Sequence, residues 1–297
     1  MDDRSNSDIE TFRREGLLAL RNVIDKEFVD ALKHDVWQLI DRSFGIREGD
    51  PVSWFERFDD PVIKERGYRL SGMNDVMAEL QSKGSLEPCL AAIEEQVASI
   101  FGVGRWAPLD KWYSLLSFPG AESQWNVPHQ RWHSDEPIVV GDPEPWSLFA
   151  FVFLDVVDQA TGPTVAVAGS HRRGEVLADR DGVVDGRQVR AFHHVNRDVV
   201  TDPDALRLLP VGSLLDRLAE TDQWFVDLST DGATHDRVEQ FISNGTSADG
   251  THCHVAEISG GPGDVVLFDP RCLHAPSGNV SGRPRQVLRI DLRRLSR

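Results

Sequence analysis

Cysteine is scarce in this 297-residue sequence, and its few copies form no recognisable pattern. Cys89, Cys253 and Cys272 are an odd number, and no two of them are separated by only two residues. We therefore expect neither a disulfide framework nor a structural zinc site. Cys89 fits the buried face of a helix. Cys272 stands two residues before His274, so a thiolate metal ligand at that position is an alternative to be tested.

The sequence also lacks long apolar runs and an excess of basic residues. No stretch approaches the roughly 18 apolar residues of a membrane-spanning helix, and residues 1–8 are polar and acidic, unlike a signal peptide. A cytoplasmic protein is the expectation. The formal net charge of −16 argues against nucleic acid or an anionic membrane as a partner. The same charge favours a neutral or cationic small-molecule substrate.

Motifs for nucleophilic catalysis and for nucleotide binding are missing as well. The sequence contains no Gly-x-Ser-x-Gly, no phosphate-binding Gly-Lys-Ser/Thr loop and no dinucleotide-binding Gly-x-Gly-x-x-Gly. The pair Gly102 and Gly104 follows a predicted helix rather than a strand, so it does not indicate a nucleotide site.

A possible metal site is present in His133-Ser134-Asp135 and in His274, 141 residues after His133. Residues two apart on a strand project to the same face, so His133 and Asp135 can bind one metal ion. Two histidines and one carboxylate are the ligands of non-haem Fe(II) oxygenases, and they leave coordination positions open. A lone His-x-Asp is weak evidence, since a surface turn explains it equally well. His129 and His171 are the alternative ligands, although we expect a structural hydrogen-bonding role for His171.

The surroundings of these residues resemble the phytanoyl-CoA dioxygenase family of Fe(II)/2-oxoglutarate oxygenases. The resemblance runs nearly end to end, and its specific parts are His133-x-Asp135, Gly162-Pro163, Gly169-Ser170-His171, the Gly263-Asp264 turn before a strand and His274, Asn279, and Arg285. It implies that His133, Asp135 and His274 hold Fe(II), with 2-oxoglutarate as cosubstrate and O2 as oxidant. In related halogenases a small residue replaces the carboxylate, so Asp135 disfavours halogenation.

Arg285, eleven residues after His274, is the candidate partner of the far carboxylate of 2-oxoglutarate. A guanidinium can form two parallel hydrogen bonds to a carboxylate. Arg283 is the competitor, but Pro284 indicates that Arg283 lies in the preceding loop. Arg289 would project to the same face of the strand as Arg285, but we interpret it as too far along the strand to be the partner of this carboxylate.

Two positions depart from the family pattern. Pro276 stands where some members carry a serine that helps to bind the cosubstrate, and Leu116 stands where a polar side chain is expected. Tyr113 and Ser114 are therefore the candidate polar groups of the 2-oxoglutarate pocket. His252 and His254, two apart on a predicted strand, are either a second metal pair, a pocket wall or an exposed strand face.

The hydrophobic pattern predicts one domain, residues 1–297, with a helical part at 1–105 and a β core at 109–295. Ser7 and Glu10 form a predicted capping box, Asp25 is a predicted N-cap, and residues 86–100 have helical periodicity. Strands are predicted at 17–20, 111–118, 132–135, 147–155, 164–168, 255–259, 265–268 and 287–292. Many short strands after a helical part favour a mainly β double-stranded β-helix (a cupin-like jelly roll) with flanking helices. A lid-like insertion is expected at 172–254, with a helix at 203–220.

These observations predict an Fe(II)/2-oxoglutarate-dependent dioxygenase that hydroxylates an unactivated C–H bond of a small molecule and releases succinate and CO2. Desaturation, cyclisation or epoxidation would use the same ligands. The alternative is a metal-binding, cupin-like isomerase, hydrolase or binding protein without 2-oxoglutarate chemistry. A secondary metabolite, an amino-acid derivative or an acyl thioester is compatible as substrate. We expect segments 44–72 and 172–254 to determine specificity.

Overall fold

The computed structural model describes residues 3–56, 67–136, 144–173, 188–191, 206–209, 213–234 and 236–295. In these residues two antiparallel sheets enclose an apolar interior, and helices cover the outer face of the larger sheet. None of the described helices is long and apolar enough to cross a membrane.

Most helices of the described part precede the β core. They are α1 (Asp3–Glu15), α2 (Lys26–Phe44), α3 (Pro51–Phe55), α4 (Asn74–Ser82) and α5 (Glu87–Phe101). Helix α1 begins four residues before the predicted capping box, so Ser7 lies inside it. The predicted N-cap of α2 is confirmed, because the side chain of Asp25 accepts a hydrogen bond of 3.1 Å from the Phe28 amide.

The larger sheet has six antiparallel strands. Their spatial order is β1 (Leu17–Leu20), β10 (Val265–Phe268), β4 (Ser147–Phe153), β12 (Arg285–Arg294), β3 (Trp106–Phe118) and β2 (Tyr68–Arg69). Strand β2 lies in a segment that the sequence pattern presents as irregular, and it pairs Arg69 with Ser117 at the sheet edge.

The smaller sheet faces the larger one across the interior. Its order is β11 (His274–Pro276), β5 (Thr164–Ala168), β9 (Thr251–Ile258) and β8 (Thr246–Ala248). The apolar residues of the interior come from both sheets and include Phe149, Phe151 and Phe153 of β4, with Ala166 of β5 and Ile258 of β9. The alternate residues of β4, such as Leu148 and Val152, pack against the helices. This arrangement confirms the predicted jelly roll with flanking helices.

Of the predicted insertion at 172–254, the last residues belong to β8 and β9 of the smaller sheet. Before them lie strands β6 (Gln188–Ala191) and β7 (Leu206–Leu209), helices α6 (Ser213–Thr221) and α7 (Gln223–Ser229), and a π-helix at Glu239–Asn244. The helix predicted at 203–220 is therefore wrong in its first half. Leu206–Leu209 pairs in parallel with β6, since a short apolar run fits a strand as well as a helix. Residues 203–205 and 210–212 lie outside the described residues.

Candidate metal centre

The structure brings His133, Asp135 and His274 together at one end of the interior. The potential ligand atoms of the three side chains all lie within 4.8 Å of one another. The two carboxylate oxygens of Asp135 lie 3.5 Å from the Nε2 atoms of His133 and of His274 respectively. The Asp135 amide donates to the Pro270 carbonyl at 2.8 Å, which fixes this residue against the chain that leads to His274.

The backbone orients both imidazole rings. The Nδ1 atom of His133 lies 2.8 Å from the Arg131 carbonyl oxygen, and that of His274 lies 3.0 Å from the Cys272 carbonyl oxygen. Because a carbonyl oxygen only accepts hydrogen bonds, each Nδ1 carries the proton and each Nε2 keeps its lone pair. Metal-binding histidines are commonly held in this way. The donor set and its orientation therefore fit a divalent metal ion.

Electrostatics also favour the metal-binding protonation states. Burial and the neighbouring His274 lower the pKa of His133. Burial alone would raise the pKa of Asp135. The proximity of His274, His133 and Arg289 outweighs that effect and holds the pKa of Asp135 well below its usual range. At neutral pH the site thus offers a neutral imidazole and a carboxylate, as metal binding requires.

Arg289, four residues after Arg285 on β12, lies beside this site. Its Nη1 atom is 3.8 Å from Asp135, and its Nε atom is 2.9 Å from the Asp291 carboxylate. The guanidinium is also packed between the rings of Tyr113 and Phe149, at 4.4 and 4.1 Å from their centroids. The sequence pattern could not reveal this contact, because it depends on how Asp135 folds over the middle of β12.

Arg285 occupies the beginning of β12 and is 5% exposed. Its Nε atom donates to the Ser117 hydroxyl at 3.1 Å, and within the described part of the chain no carboxylate pairs with it. Burial, reinforced by the nearby Arg69, lowers the pKa of Arg285 to about 10. Arg283 instead has a 44% exposed side chain and lies 3.7 to 3.8 Å from Asp155 and Asp158. Of the two arginines, only Arg285 is a buried cation that lacks a counter-charge among the described residues.

A cavity of about 380 Å³ is lined by Tyr113 and Ser114 and by Arg131, which stands two residues before His133. Tyr113 is opposite Arg289 on the interior face of the sheet. Ser114 is opposite Leu288 on the face that packs against the helices, and its hydroxyl has no hydrogen-bond partner in the described residues. The two candidates therefore lie on opposite faces of β3.

Leu116 also lies on the helix-packing face, within its apolar core. The polar side chain expected near Arg285 is instead supplied by the next residue, Ser117. A register prediction for β3 and β12 would have been needed to find it.

The alternative ligands lie outside the metal group. His171 is buried, its Nε2 atom donates to the Arg13 carbonyl at 3.1 Å, and its Nδ1 atom lies 3.2 Å from the Cys272 sulfur. This geometry confirms the structural role expected for His171. Burial raises the pKa of Cys272 well above its usual value, which disfavours a thiolate ligand. His129 lies 3.7 Å from the carboxylate of Asp231.

The second histidine pair completes no metal site with the other residues that the structure describes. The rings of His252 and His254 stack with centroids 5.4 Å apart. Across the described residues, the group formed by His133, Asp135 and His274 is the single cluster of three possible ligands. Cys89 and Cys253 are buried free thiols, and burial raises the pKa of each to about 12.

Comparison with solved structures shows the same fold in proteins of low sequence identity. The carbocyclase SnoK from nogalamycin biosynthesis, described as non-haem and alpha ketoglutarate dependent, is 16% identical, with a TM-score of 0.53, 99% of this chain covered and 84% of that chain. The epimerase SnoN, solved with Fe3+, alpha ketoglutarate and nogalamycin RO, is 15% identical, with a TM-score of 0.51 and coverage of 98% and 84%. AviO1 from Streptomyces viridochromogenes Tue57 is 17% identical, with a TM-score of 0.50 and coverage of 97% and 94%.

Sequence comparison identifies the family. No curated protein sequence matches the chain. The family model "Phytanoyl-CoA dioxygenase (PhyH)" matches residues 12–204, about two thirds of the sequence. That match includes His133 and Asp135 and ends before His274 and Arg285, which the fold brings to the same interior. The chain belongs to the phytanoyl-CoA dioxygenase family.

Proposed function

We propose that this chain is an Fe(II)- and 2-oxoglutarate-dependent dioxygenase that hydroxylates an unactivated C–H bond of a small organic molecule. The observation that carries the proposal is the convergence of His133, Asp135 and His274, with both Nε2 lone pairs free and with Asp135 ionised. Two imidazoles and one carboxylate suit Fe(II) and leave positions for further ligands. The proposed domain is the whole chain, residues 1–297.

Arg285 is the proposed partner of the far carboxylate of 2-oxoglutarate. A buried guanidinium without a counter-charge is unfavourable, and a bound carboxylate would relieve that cost. Its hydrogen bond to Ser117 uses only Nε and leaves the two terminal nitrogens for a bidentate contact. Arg289 is less suitable, because Asp291 already pairs with it.

Tyr113 and Ser114 are retained as candidate groups of the cosubstrate pocket. Support for Tyr113 comes from its place on the interior face, next to Arg289. Ser114 reaches the same cavity from the other face of the strand. Loss of the Tyr113 hydroxyl is therefore expected to affect binding more than loss of the Ser114 hydroxyl.

When bound, iron and 2-oxoglutarate supply the oxidation, in which one oxygen atom of O2 enters succinate, the other enters the product alcohol, and CO2 is released. The chain holds the metal through His133, Asp135 and His274 and orients the cosubstrate through Arg285. Phe149, Phe151 and Phe268 of the interior exclude water around the histidines. His274, His133 and, to a smaller extent, Arg289 keep the Asp135 carboxylate charged by lying beside it.

The same ligand set permits outcomes other than hydroxylation. SnoN is described as an epimerase and SnoK as a carbocyclase. For this chain hydroxylation is proposed because it needs no feature beyond the three ligands and an oriented C–H bond. Desaturation, cyclisation, epoxidation or epimerisation would be recognised from the mass and connectivity of the product. A secondary metabolite, an amino-acid derivative or an acyl thioester is the proposed range of substrates.

Isotope incorporation tests the proposed reaction. Protein reconstituted with Fe(II) is incubated with 2-oxoglutarate under ¹⁸O₂, and succinate is analysed by mass spectrometry. The proposal predicts succinate that carries one ¹⁸O atom, which is lost in Asp135→Ala and retained in Asp35→Ala, a matched change on the exposed face of α2. Unlabelled succinate, or none, from the wild-type protein would reject the dioxygenase and favour a metal-binding protein without this chemistry.

A further inference from the structure

The cavity beside the metal centre is lined by two arginines with no assigned partner. Arg69 is at the edge strand β2, and Arg131 precedes the metal-binding segment; both are exposed to solvent. Among the described residues neither guanidinium has a hydrogen bond or ion pair, whereas Arg289 is paired with Asp291. Two accessible cations in one concave site, without counter-charges, indicate a site for an anion.

Two residues of the cavity wall, Arg131 and Tyr113, connect it to the proposed reaction site. The Arg131 carbonyl oxygen holds the ring of His133 at 2.8 Å. Tyr113 forms part of the cavity wall, and its ring contacts Arg289, which in turn lies 3.8 Å from Asp135. The cavity wall is thus linked to the metal ligands through Arg131 on one side and through Tyr113 and Arg289 on the other.

The charge around the cavity is positive although the protein as a whole is acidic. Lys111 contributes a further cation, with its Nζ atom 4.8 Å from the centroid of the Tyr113 ring. Desolvation, together with the charges of Arg289 and Arg131, lowers the pKa of Arg69, and Asp135 opposes this effect only in part. An anionic ligand would relieve this repulsion between cations.

The proposed cofactors do not use these two charges. The charges sum to zero over Fe(II), the Asp135 carboxylate, doubly charged 2-oxoglutarate and Arg285. The charges of Arg289 and Asp291 also cancel each other. Among the described residues, Arg69, Arg131 and the nearby Lys111 remain as positive charges without a paired carboxylate. Local charge therefore reverses the expectation from net charge, which favoured a neutral or cationic substrate.

We infer that this cavity binds the substrate through an anionic group, a carboxylate, phosphate or sulfate, held by Arg69 and Arg131. The inference rests on the proposed function for the identity of the reaction. Recognition of the anion itself depends only on this chain. The two arginines approach from different segments, one from the sheet edge and one from the loop before His133. They would fix the orientation of the substrate relative to the metal, and they are assigned as specificity-determining residues.

Calorimetry on the metal-free, full-length protein tests this assignment. The probes are 1-naphthoate and its uncharged analogue 1-naphthamide, which have nearly the same shape. We expect the wild-type protein to bind the anion at least about tenfold more tightly than the amide, as one charge-assisted pair allows. Arg69→Gln and Arg131→Gln should each remove most of that preference, and Arg69→Lys should retain part of it.

Two matched variants separate the sources of anion binding. Arg47→Gln removes an exposed arginine that pairs with Asp50 in the helical layer, and its preference should equal that of the wild type. Arg285→Gln removes the proposed cosubstrate arginine, so a loss of preference in this variant alone would place the bound anion in the cosubstrate site. Equal binding of the two probes, absence of binding, or loss of preference only in Arg285→Gln would overturn the inference.

The outcome is independent of the oxygenase proposal, since neither metal nor 2-oxoglutarate is present in this titration. Anion preference without succinate formation would reject only the proposed function. Succinate formation without anion preference would reject only the assignment of Arg69 and Arg131.

Discussion

His133 and His274 exchange two backbone hydrogen bonds, since the amide of each donates to the carbonyl oxygen of the other, at 3.0 and 2.8 Å. This bridge brings their ring centroids to within 4.2 Å, although 141 residues separate them in the chain. Because main-chain atoms form the bridge, the two metal-binding side chains are positioned before any metal is bound. Preorganisation of this kind is expected to make the three ligands act as a unit.

Alanine substitution of the ligands is therefore expected to abolish tight metal binding. His133→Ala, Asp135→Ala and His274→Ala should each weaken Fe(II) binding by more than about 100-fold, since even outer partners of a ligand contribute roughly 10- to 100-fold. Anaerobic calorimetry measures the affinity. His34→Ala, on the exposed face of α2, is the matched control. Wild-type affinity in any of the three variants would remove that residue from the site.

Arg289 and Asp291 form a coupled pair, and removal of one charge should cost more than removal of both. Arg289→Gln leaves the buried Asp291 carboxylate without its cation, and we expect the free energy of unfolding to fall by about 2–3 kcal/mol. Arg289→Gln combined with Asp291→Asn should recover part of that loss. Urea unfolding of the metal-free protein measures both. A double variant no more stable than Arg289→Gln would contradict the coupling.

Glu136 should make stability depend on pH. Burial raises its pKa to about 8, while the Trp146 amide, which donates at 3.0 Å, and the Ser147 hydroxyl oppose this shift only in part. The folded-state pKa is above the unfolded value, so this contribution to stability is complete below about pH 4.5. It is lost as the pH rises through about 8.

Glu136→Gln isolates that contribution, because the amide does not ionise. Its oxygen can accept from the Trp146 amide, and its NH2 group can donate to the Ser147 hydroxyl. The free energy of unfolding of the metal-free protein should fall between pH 6 and 9 for the wild type and should fall less for the variant. The pKa of Glu136 sets this pH range. Parallel curves for the two proteins would show that Glu136 does not ionise in this range.

Gly16, at the turn between α1 and β1, has a φ of 77°, and an added Cβ would lie 2.2 Å from the Cys272 sulfur. Gly16→Ala combines left-handed strain with a clash, and we expect it to destabilise the fold by at least about 3 kcal/mol. Gly45 has a φ of 69° and open space around its Cα, so Gly45→Ala should cost only about 1–2 kcal/mol. Thermal or urea unfolding gives both values. Equal losses would mean that the Cys272 region adapts without cost.

Local patterns in the sequence were sufficient to predict much of the fold. The strands at Thr164–Ala168 and Val265–Phe268 were predicted with the observed bounds, because each is a short apolar run between glycine-containing turns. The helix at Glu87–Phe101 followed from its apolar period. The strand at Leu206–Leu209 was wrongly predicted as part of a helix, since its pairing depends on a distant partner at Gln188–Ala191.

The metal ligands of the candidate site, His133, Asp135 and His274, were predictable from their residue types and their spacing in the sequence. Residues brought in by tertiary contacts were missed. Arg69 comes from an edge strand in a segment without hydrophobic periodicity, and Arg289 reaches Asp135 only because the chain at Asp135 lies beside β12. Ser117 was missed because its role depends on the pairing register with Arg285.

The central claim is that this chain binds Fe(II) and then chelates 2-oxoglutarate with the help of Arg285. Anaerobic titration of the metal-free protein with Fe(II) and then 2-oxoglutarate, followed by the weak visible charge-transfer absorption, tests it most directly. We predict the absorption in the wild type and in Arg283→Gln, the exposed matched control. Arg285→Gln should need about 10- to 100-fold more 2-oxoglutarate. Fe(II) binding without this absorption, or an unchanged titration in Arg285→Gln, would contradict the account.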